Sequence, residues 1–418
     1  MDFRIATPQD TPHVEALWAY CFEPKEDPFF QYYFGHCYEP HNTVIGLKEN
    51  QLVSTVHLRQ YNINVRGAVL PTSYMVGVAT HPAARRGGVG GALLKSSLEE
   101  LRRRGQAMTI LMPSKAGFYQ QYGWDLYAHQ WVQTMSLDDL RPLTDKTLSF
   151  GLITDVEQWT LLDPVYKGYT KGLSGFAERG EKDWKRLLGS FFAENVHVAV
   201  VKDEYNTIEG YAVYRLGAPE IPVTEFVYTT RRAQQALINY FYNHRSQGES
   251  IRWNEGLHDR GYIFQPDGKT GHTTMPYMMS RIVDVKTAIE AIPIHPDAAM
   301  MPITLNIKVI DSLCEWNEGV FAVTFGGGVT PKVSYVDANS SAYDASVSAH
   351  RETTFGDGEH TAEEVDLTID IGGLSVLLVG RMSASELAFE GKLQGHEDWI
   401  RYLDLVYPKQ HTYINEWW

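Results

Sequence analysis

Between an apolar run, Tyr74–Thr80, and a stretch carrying Leu94, Leu98 and Leu101 at helical spacing lies His81-Pro82-Ala83-Ala84-Arg85-Arg86-Gly87-Gly88-Val89-Gly90-Gly91. Arg85, Gly88 and Gly90 stand in the spacing R-x-x-G-x-G. Glycines let a backbone turn tightly and come close to a ligand. Successive N–H groups at the start of the following helix then face one concavity, where the helix dipole favours an anion such as a pyrophosphate. Arg85 and Arg86 add positive charge. The segment has neither the G-x-x-x-x-G-K-[ST] order of an ATP loop nor the G-x-G-x-x-G order of a dinucleotide fold, since Ala92-Leu93 follow Gly91.

A second group with chemical potential is Ser114-Lys115-Ala116-Gly117-Phe118-Tyr119-Gln120-Gln121-Tyr122-Gly123-Trp124. A phenol, with a pKa of about 10, suits the protonation of a leaving group of comparable basicity. His81 has no adjacent carboxylate to orient it and reads as a non-catalytic loop residue. The histidines show no HxxxH pair, so no metal is expected. Residues 23–38 are acidic and aromatic; Glu23, Glu26 and Asp27 either line a pocket for cationic amines or belong to a solvated loop.

The elements that must position these groups follow from periodicity. Phe3 and Ile5 read as a strand, and Val14, Leu17, Trp18 and Phe22 fall on one helix face after Thr11-Pro12. Strand-like runs follow at Thr43–Leu47, Leu52–Leu58, Asn62–Val65, Ala68–Leu70 and Tyr74–Thr80, with Arg66-Gly67 as a hairpin turn. The Gly-rich loop opens a helix that ends at Arg102-Arg103-Arg104-Gly105, and Ala107–Met112 is a short buried strand. The pattern over residues 1–140 is a mixed α/β domain.

Residues 141–284 repeat a weaker version: a helix at Trp184–Phe192, strands at Val196–Val201, Glu209–Arg215 and Val223–Thr229, a helix at Arg231–Tyr242 and a strand at Ser250–Trp253. The turn there reads Thr229-Thr230-Arg231-Arg232-Ala233-Gln234, without glycine, so it reads as a degenerate duplicate. Residues 285–418 form an α+β unit with strands at Val320–Phe325, Lys332–Val336, Ala345–Ser348, Glu364–Ile369 and Ser375–Val379, then helices at Ser383–Phe389 and His396–Tyr402. The sequence closes on Trp417-Trp418, too apolar for a solvated tail and therefore expected to be buried.

Composition narrows the function. The 418 residues are 44% hydrophobic, enough for several cores, and no run of about 18 apolar residues suggests a membrane span. The first residues lack the basic and apolar regions of a secretory signal. Cys21, Cys37 and Cys314 form no CxxC pair, and a reducing cytoplasm fits them best. A net charge of −14 argues against nucleic acid and is compatible with a cationic small molecule.

Residues 74–124 resemble the GCN5-related N-acetyltransferase (GNAT) superfamily, whose [RQ]-x-x-G-x-[GA] motif binds the CoA pyrophosphate after a splayed strand. Phe118-Tyr119-x-x-x-Gly123-Trp124 resembles its last motif, with a Tyr near the cofactor sulfur. The whole layout resembles the Eis (enhanced intracellular survival) proteins: an active acetyltransferase domain, a degenerate second one and a sterol-carrier-like third. The resemblance implies acetyl-CoA as cosubstrate, amines of aminoglycosides as acceptors and a homohexamer. Residue by residue, it implies that Val78, Ala79 and Thr80 present strand backbone to the acetyl group and pantetheine arm. Arg85, Arg86, Gly87, Gly88, Val89, Gly90 and Gly91 wrap the pyrophosphate, with Ser114 and Lys115 on the other side. Tyr119 is the proton donor and Trp418 the base through its α-carboxylate, with Glu416 as the alternative carboxylate. Protein lysines or polyamines remain open as acceptors, as does a lipid-binding carrier with a relic transferase fold.

Overall fold

The computed structural model describes residues 1–264, 271–300, 302–336 and 365–418. Two sheets organise the chain. The larger has 13 strands: β1 (Asp2–Ile5), β2 (Thr43–Lys48), β3 (Gln51–Val65), β4 (Ala68–Thr80), β5 (Met108–Leu111), β6 (Asp125–Ser136), β7 (Ser149–Ile153), β8 (Phe176–Ala177), β9 (His197–Lys202), β10 (Ile208–Tyr214), β11 (Glu220–Tyr228), β12 (Ser250–Gly256) and β13 (His272–Ile282). Their order is β1-β2-β3-β4-β5-β13-β6-β12-β11-β10-β9-β7, with β8 alongside β3. The smaller sheet has the order β16 (Lys332–Val336), β15 (Gly319–Phe325), β14 (Ile303–Ile310), β17 (Leu367–Asp370), β18 (Leu393–Gly395). The helices are α1 (Thr11–Cys21), α2 (Pro28–Tyr32), α3 (Val89–Arg103), α4 (Ala116–Gln120), α5 (Trp159–Thr170), α6 (Glu181–Ala193), α7 (Arg231–Tyr242), α8 (Val285–Ala291), α9 (Ile371–Val379), α10 (Ala384–Phe389) and α11 (Glu397–Val406).

The first two parts of the chain share one sheet. β13 enters between β5 and β6, with Met279 opposite Leu111 and Ser280 opposite Asp125. β6 pairs on its other edge with β12, from Ser136–Ser250 to Gln130–Gly256. Arg281 on β13 is fully buried; it donates to the Tyr122 carbonyl at 2.8 Å and to Asp311 at 2.7 Å, joining the first and third parts of the chain. α9 is buried along its whole length and packs on β6 and β13.

The four short runs expected between residues 52 and 80 are two long strands, β3 and β4, joined through Arg66 and Gly67 at φ 52° and 87°. Positive φ at both central residues is the hairpin geometry that matches strand twist. Ser375–Val379, expected as a strand, is the second half of α9; a helix buried on every side shows no 3.6-residue alternation to read. Ala345–Ser348 and Glu364 lie outside the described residues. Residues 23–38, which read as a loop-rich or broken-helical segment, hold α2 and a π-helical turn at Tyr33–Cys37.

Candidate active site

β4 and β5 run parallel but pair only at Ser73–Thr109 and Tyr74–Ile110 among the described residues. Beyond that point the strands part. On its other side β4 shifts register against β3 between Thr55–Ala79 and His57–Val76, a bulge centred on Gly77 at φ 59°. A Cβ at Gly77 would run into the Trp18 ring, so the bulge requires glycine. The result is a fork whose β4 edge, Val78–Thr80, faces no partner strand.

The glycine loop closes the mouth of this fork. Arg86 and Gly88 take φ of 64° and 76°, and Gly88 caps α3 without a side chain. A Cβ at Gly90 would stand 3.1 Å from Phe118, and one at Gly91 2.8 Å from Tyr122. Arg85 Nε donates to the Thr80 carbonyl at 2.9 Å, which ties the loop back to the strand end. His81 Nδ1 accepts from the Ala83 amide at 3.3 Å and shapes the turn. A cavity of about 470 Å³ lies here. Val78, Ala79, Thr80, Arg85, Arg86, Gly88, Val89, Gly90, Ser114 and Tyr119 line it, while Gly87, Gly91 and Lys115 do not. Cys21, Phe22, Phe118 and Tyr122, to none of which the sequence assigned a binding role, complete the wall.

Tyr119 sits on α4 with 6% of its surface exposed, edge-on to Phe118 at 5.0 Å and to Trp124 at 6.3 Å. Burial pushes its phenol up to about 12. It is therefore a neutral proton donor at any physiological pH.

A second cavity, of about 410 Å³, is lined by Glu23, Asp27, Phe29, Met112, Leu187, Phe191, Glu194, Tyr214, Trp417 and Trp418, among others. It adjoins the first on two walls: Phe22 faces one and Glu23 the other, and Met112 and Ser114 divide in the same way. Glu23 accepts from Trp18 Nε1 at 2.8 Å and Asp27 caps α2 through the Phe29 amide at 2.8 Å. Glu194 binds Arg215. Glu26 is not on the wall.

The tail reaches this cavity by way of a second fork. β11 and β12 pair from Glu220–Ser250 to Val223–Trp253 and then part. Asn415 fills the gap: its Nδ2 donates to the Thr224 carbonyl at 2.9 Å, and its Oδ1 accepts from Gln130 at 2.9 Å. Glu416 accepts from Arg179 Nε at 2.8 Å and from Tyr61 at 3.2 Å, while its carbonyl accepts from Tyr277 at 2.6 Å. Arg179 also binds Glu225 at 2.9 Å. Glu416, considered as an alternative base, is thus committed to buried partners. Deeper in this fork Glu255 accepts from Gln234 at 3.1 Å and from Gln133; burial raises its carboxyl to about 7. Thr230 caps α7 by accepting from the Ala233 amide at 3.2 Å, and Arg232 is paired with Glu209. The tail is buried as expected from Thr412 to Glu416, but Trp417 is 39% exposed and Trp418 half-buried, because these two face the cavity.

Among the described residues no group of His, Cys, Asp and Glu is arranged to hold a metal ion, and no helix is long and apolar enough to cross a membrane.

Three family models match successive stretches: an acetyltransferase (GNAT) domain over residues 2–127, a second acetyltransferase (GNAT) domain over 175–282, and a sterol carrier protein domain over 285–415. An uncharacterized N-acetyltransferase of Streptomyces avermitilis is 22% identical over 281 residues, a match spanning 62% of this chain and 66%, just under two thirds, of that protein. A probable N-acyltransferase from Enterococcus faecalis shares the fold with a TM-score of 0.83 at 22% identity, covering 100% of this chain and 99% of that one. A GCN5-related N-acetyltransferase from Anabaena variabilis superposes with a TM-score of 0.80 at 17% identity, and Eis1 from Mycobacterium abscessus with 0.72 at 16%, each covering both chains completely.

Proposed function

This chain is an Eis-like N-acetyltransferase of the GNAT superfamily, two GNAT domains followed by a sterol carrier protein domain, and on that premise we propose that it moves acetyl from acetyl-CoA to amines of polycationic small molecules such as aminoglycosides. The observation that carries the proposal is the pair of adjoining cavities. One is walled by an open strand edge, a glycine loop and two arginines; the other by Glu23, Asp27, Glu194 and aromatic rings. About 410 Å³ suits a small ligand. Carboxylates beside aromatic faces suit ammonium groups.

The cofactor fits the first cavity on the evidence of its backbone. Gly88 supplies a helix start with no side-chain cap, and Gly90 leaves room that any Cβ would take. Arg86, Gly88, Val89 and Gly90 would hold the pyrophosphate, and Val78, Ala79 and Thr80 the pantetheine arm. When bound, acetyl-CoA supplies the acetyl group as a thioester. The N–H groups of the free β4 edge are donors for a carbonyl oxygen on which charge develops, each worth about 3 kcal/mol. Tyr119 Oη holds the proton for the departing thiolate. The α-carboxylate of Trp418 is proposed to orient the amine and take its proton. Its ordinary pKa of about 3.5 is low for that task, and the neighbouring rings favour a higher one. Both substrates are held together, so transfer is direct.

The experiment is thiol release from acetyl-CoA across aminoglycosides, polyamines and lysine peptides. Rapid release with aminoglycosides is expected; release with peptides alone would replace the acceptor. A carrier reading has less support: a cavity inside the third domain, between residues such as Leu374, Leu378 and Tyr407, is about 10 Å³, far below a lipid.

A further inference from the structure

We infer that Arg59 is a positioning residue that holds Trp418 on the wall of the acceptor cavity. Its kinetic consequence rests on the function proposed above; its structural consequence does not. Arg59 lies on β3 between His57 and Tyr61, so the three side chains leave one face of the strand. It is buried, yet Nε and Nη1 have no hydrogen-bond partner among the described residues. Its guanidinium carbon stands 3.4 Å from the centre of the Trp418 ring, against 5.7 Å for Tyr33 and 5.8 Å for Tyr61.

A buried cation without a partner is strongly unfavourable. Apart from the Cys37 thiol beside it, what faces Arg59 is an aromatic enclosure, and a desolvated guanidinium gains most from such faces. The carboxylate that balances it is reached through Tyr61, whose hydroxyl donates to Glu416. Arg59, Arg179, Glu225 and Glu416 therefore form a buried set of zero net charge with the tail threaded through it. Arg179 grips residue 416 from the second domain; Arg59 grips residue 418 from the first. Trp417, between them, is 39% exposed; it donates to Asn415 Oδ1 at 3.0 Å and leans on the Tyr277 ring at 4.8 Å. Arg59 is the side chain that fixes the last ring against Glu23, Asp27 and Glu194.

The test uses the full chain and two variants. Arg59→Met keeps the length and removes the charge; Arg59→Lys keeps the charge and removes the planar stack. Hydrogen exchange at residues 412–418 should accelerate in both while the rest of the chain is unchanged. This readout needs no turnover, so it stands even if no amine on the panel is acetylated. Unaltered exchange, or acceleration everywhere at once, would overturn the inference. With an acceptor in hand, kcat should fall by about a hundredfold with the KM for acetyl-CoA unchanged. Adding Arg59→Met to Trp418→Ala should cause no further loss, because both act through one ring. Losses that multiply would overturn the assignment, since a merely structural arginine would act independently. If Arg59→Met does not fold, Arg59→Lys carries the same three readouts.

Discussion

At β4 and β5 two parallel strands pair through Ser73 and Tyr74 and then part; at β11 and β12 they pair through Glu220–Val223 and then part. The backbone plan is the same, and each fork is followed by a helix, α3 or α7. What differs is how each fork satisfies its polar groups. The first begins its helix at Gly88 with no side-chain cap and leaves the β4 edge bare. The second caps its helix with Thr230, ties Arg232 to Glu209, seats Glu255 on two glutamines and lays Asn415 across the open strand. Buried polar groups must find partners. The second fork finds them within the chain. A fold repeated twice thus holds one open fork and one internal socket.

The largest expected effect that sharpens this contrast is at Tyr119. Tyr119→Phe should lower kcat by about 10²–10⁴-fold with acetyl-CoA affinity unchanged in calorimetry; a shift in affinity instead would assign the ring to binding. Next is the socket. Asn415→Ala removes a buried side chain that bonds Thr224, Gln130 and Trp417, and should cost about 2 kcal/mol in denaturant unfolding while one equivalent of acetyl-CoA still binds per chain. A second equivalent bound by this variant would break the comparison, for it would mean the socket is an obstructed cofactor site. Gly88→Val imposes a β-branched residue at φ 76°, a strain of about 1–2 kcal/mol, and should weaken acetyl-CoA about tenfold. The smallest effect is a pH slope. Glu255 is raised to about 7 from a usual value near 4.3, so the folded state holds its proton through that interval while the unfolded chain has lost it. Its contribution to stability therefore falls as pH rises from about 4 to about 7 and is level above. Glu255→Gln should flatten that decline in Tm between pH 5 and pH 7; an unchanged slope would mean the carboxyl titrates normally.

Much of the open fork was legible because its chemistry is local. Arg85, Gly88 and Gly90 sit within six residues, and the left-handed angle at Gly88 suits its residue type, whereas the one at Arg86 has no such signal. Ser114 and Tyr119 follow β5 within eight residues, Tyr119 on α4. The missing acceptor wall has a different cause. Phe191 lies on α6 and Glu194 caps its end, and the leucines and charges of that helix read as any amphipathic helix; only the shared sheet brings them opposite Glu23 and Asp27. The segment 23–38 could be read no further than loop-rich or broken-helical because its aromatic residues follow no single period, and a π-turn has none to show. α9 looked like a strand because every face is apolar. Nothing in Thr273–Ile282 marks it as a strand that leaves its own half.

That strand bears on how the protein is made. β5 and β6 are translated by residue 136, yet the edge each presents to the other's side is filled only by β13, more than 130 residues further along. Closing so long a loop is slow, and until it closes the nascent first half has two bare strand edges and an incomplete core. A ribosome pausing between α6 and β13 would hold a chain prone to misassembly, and a chaperone able to cover exposed strands would have its natural substrate there. The first domain is read from the messenger first but should finish folding after the second.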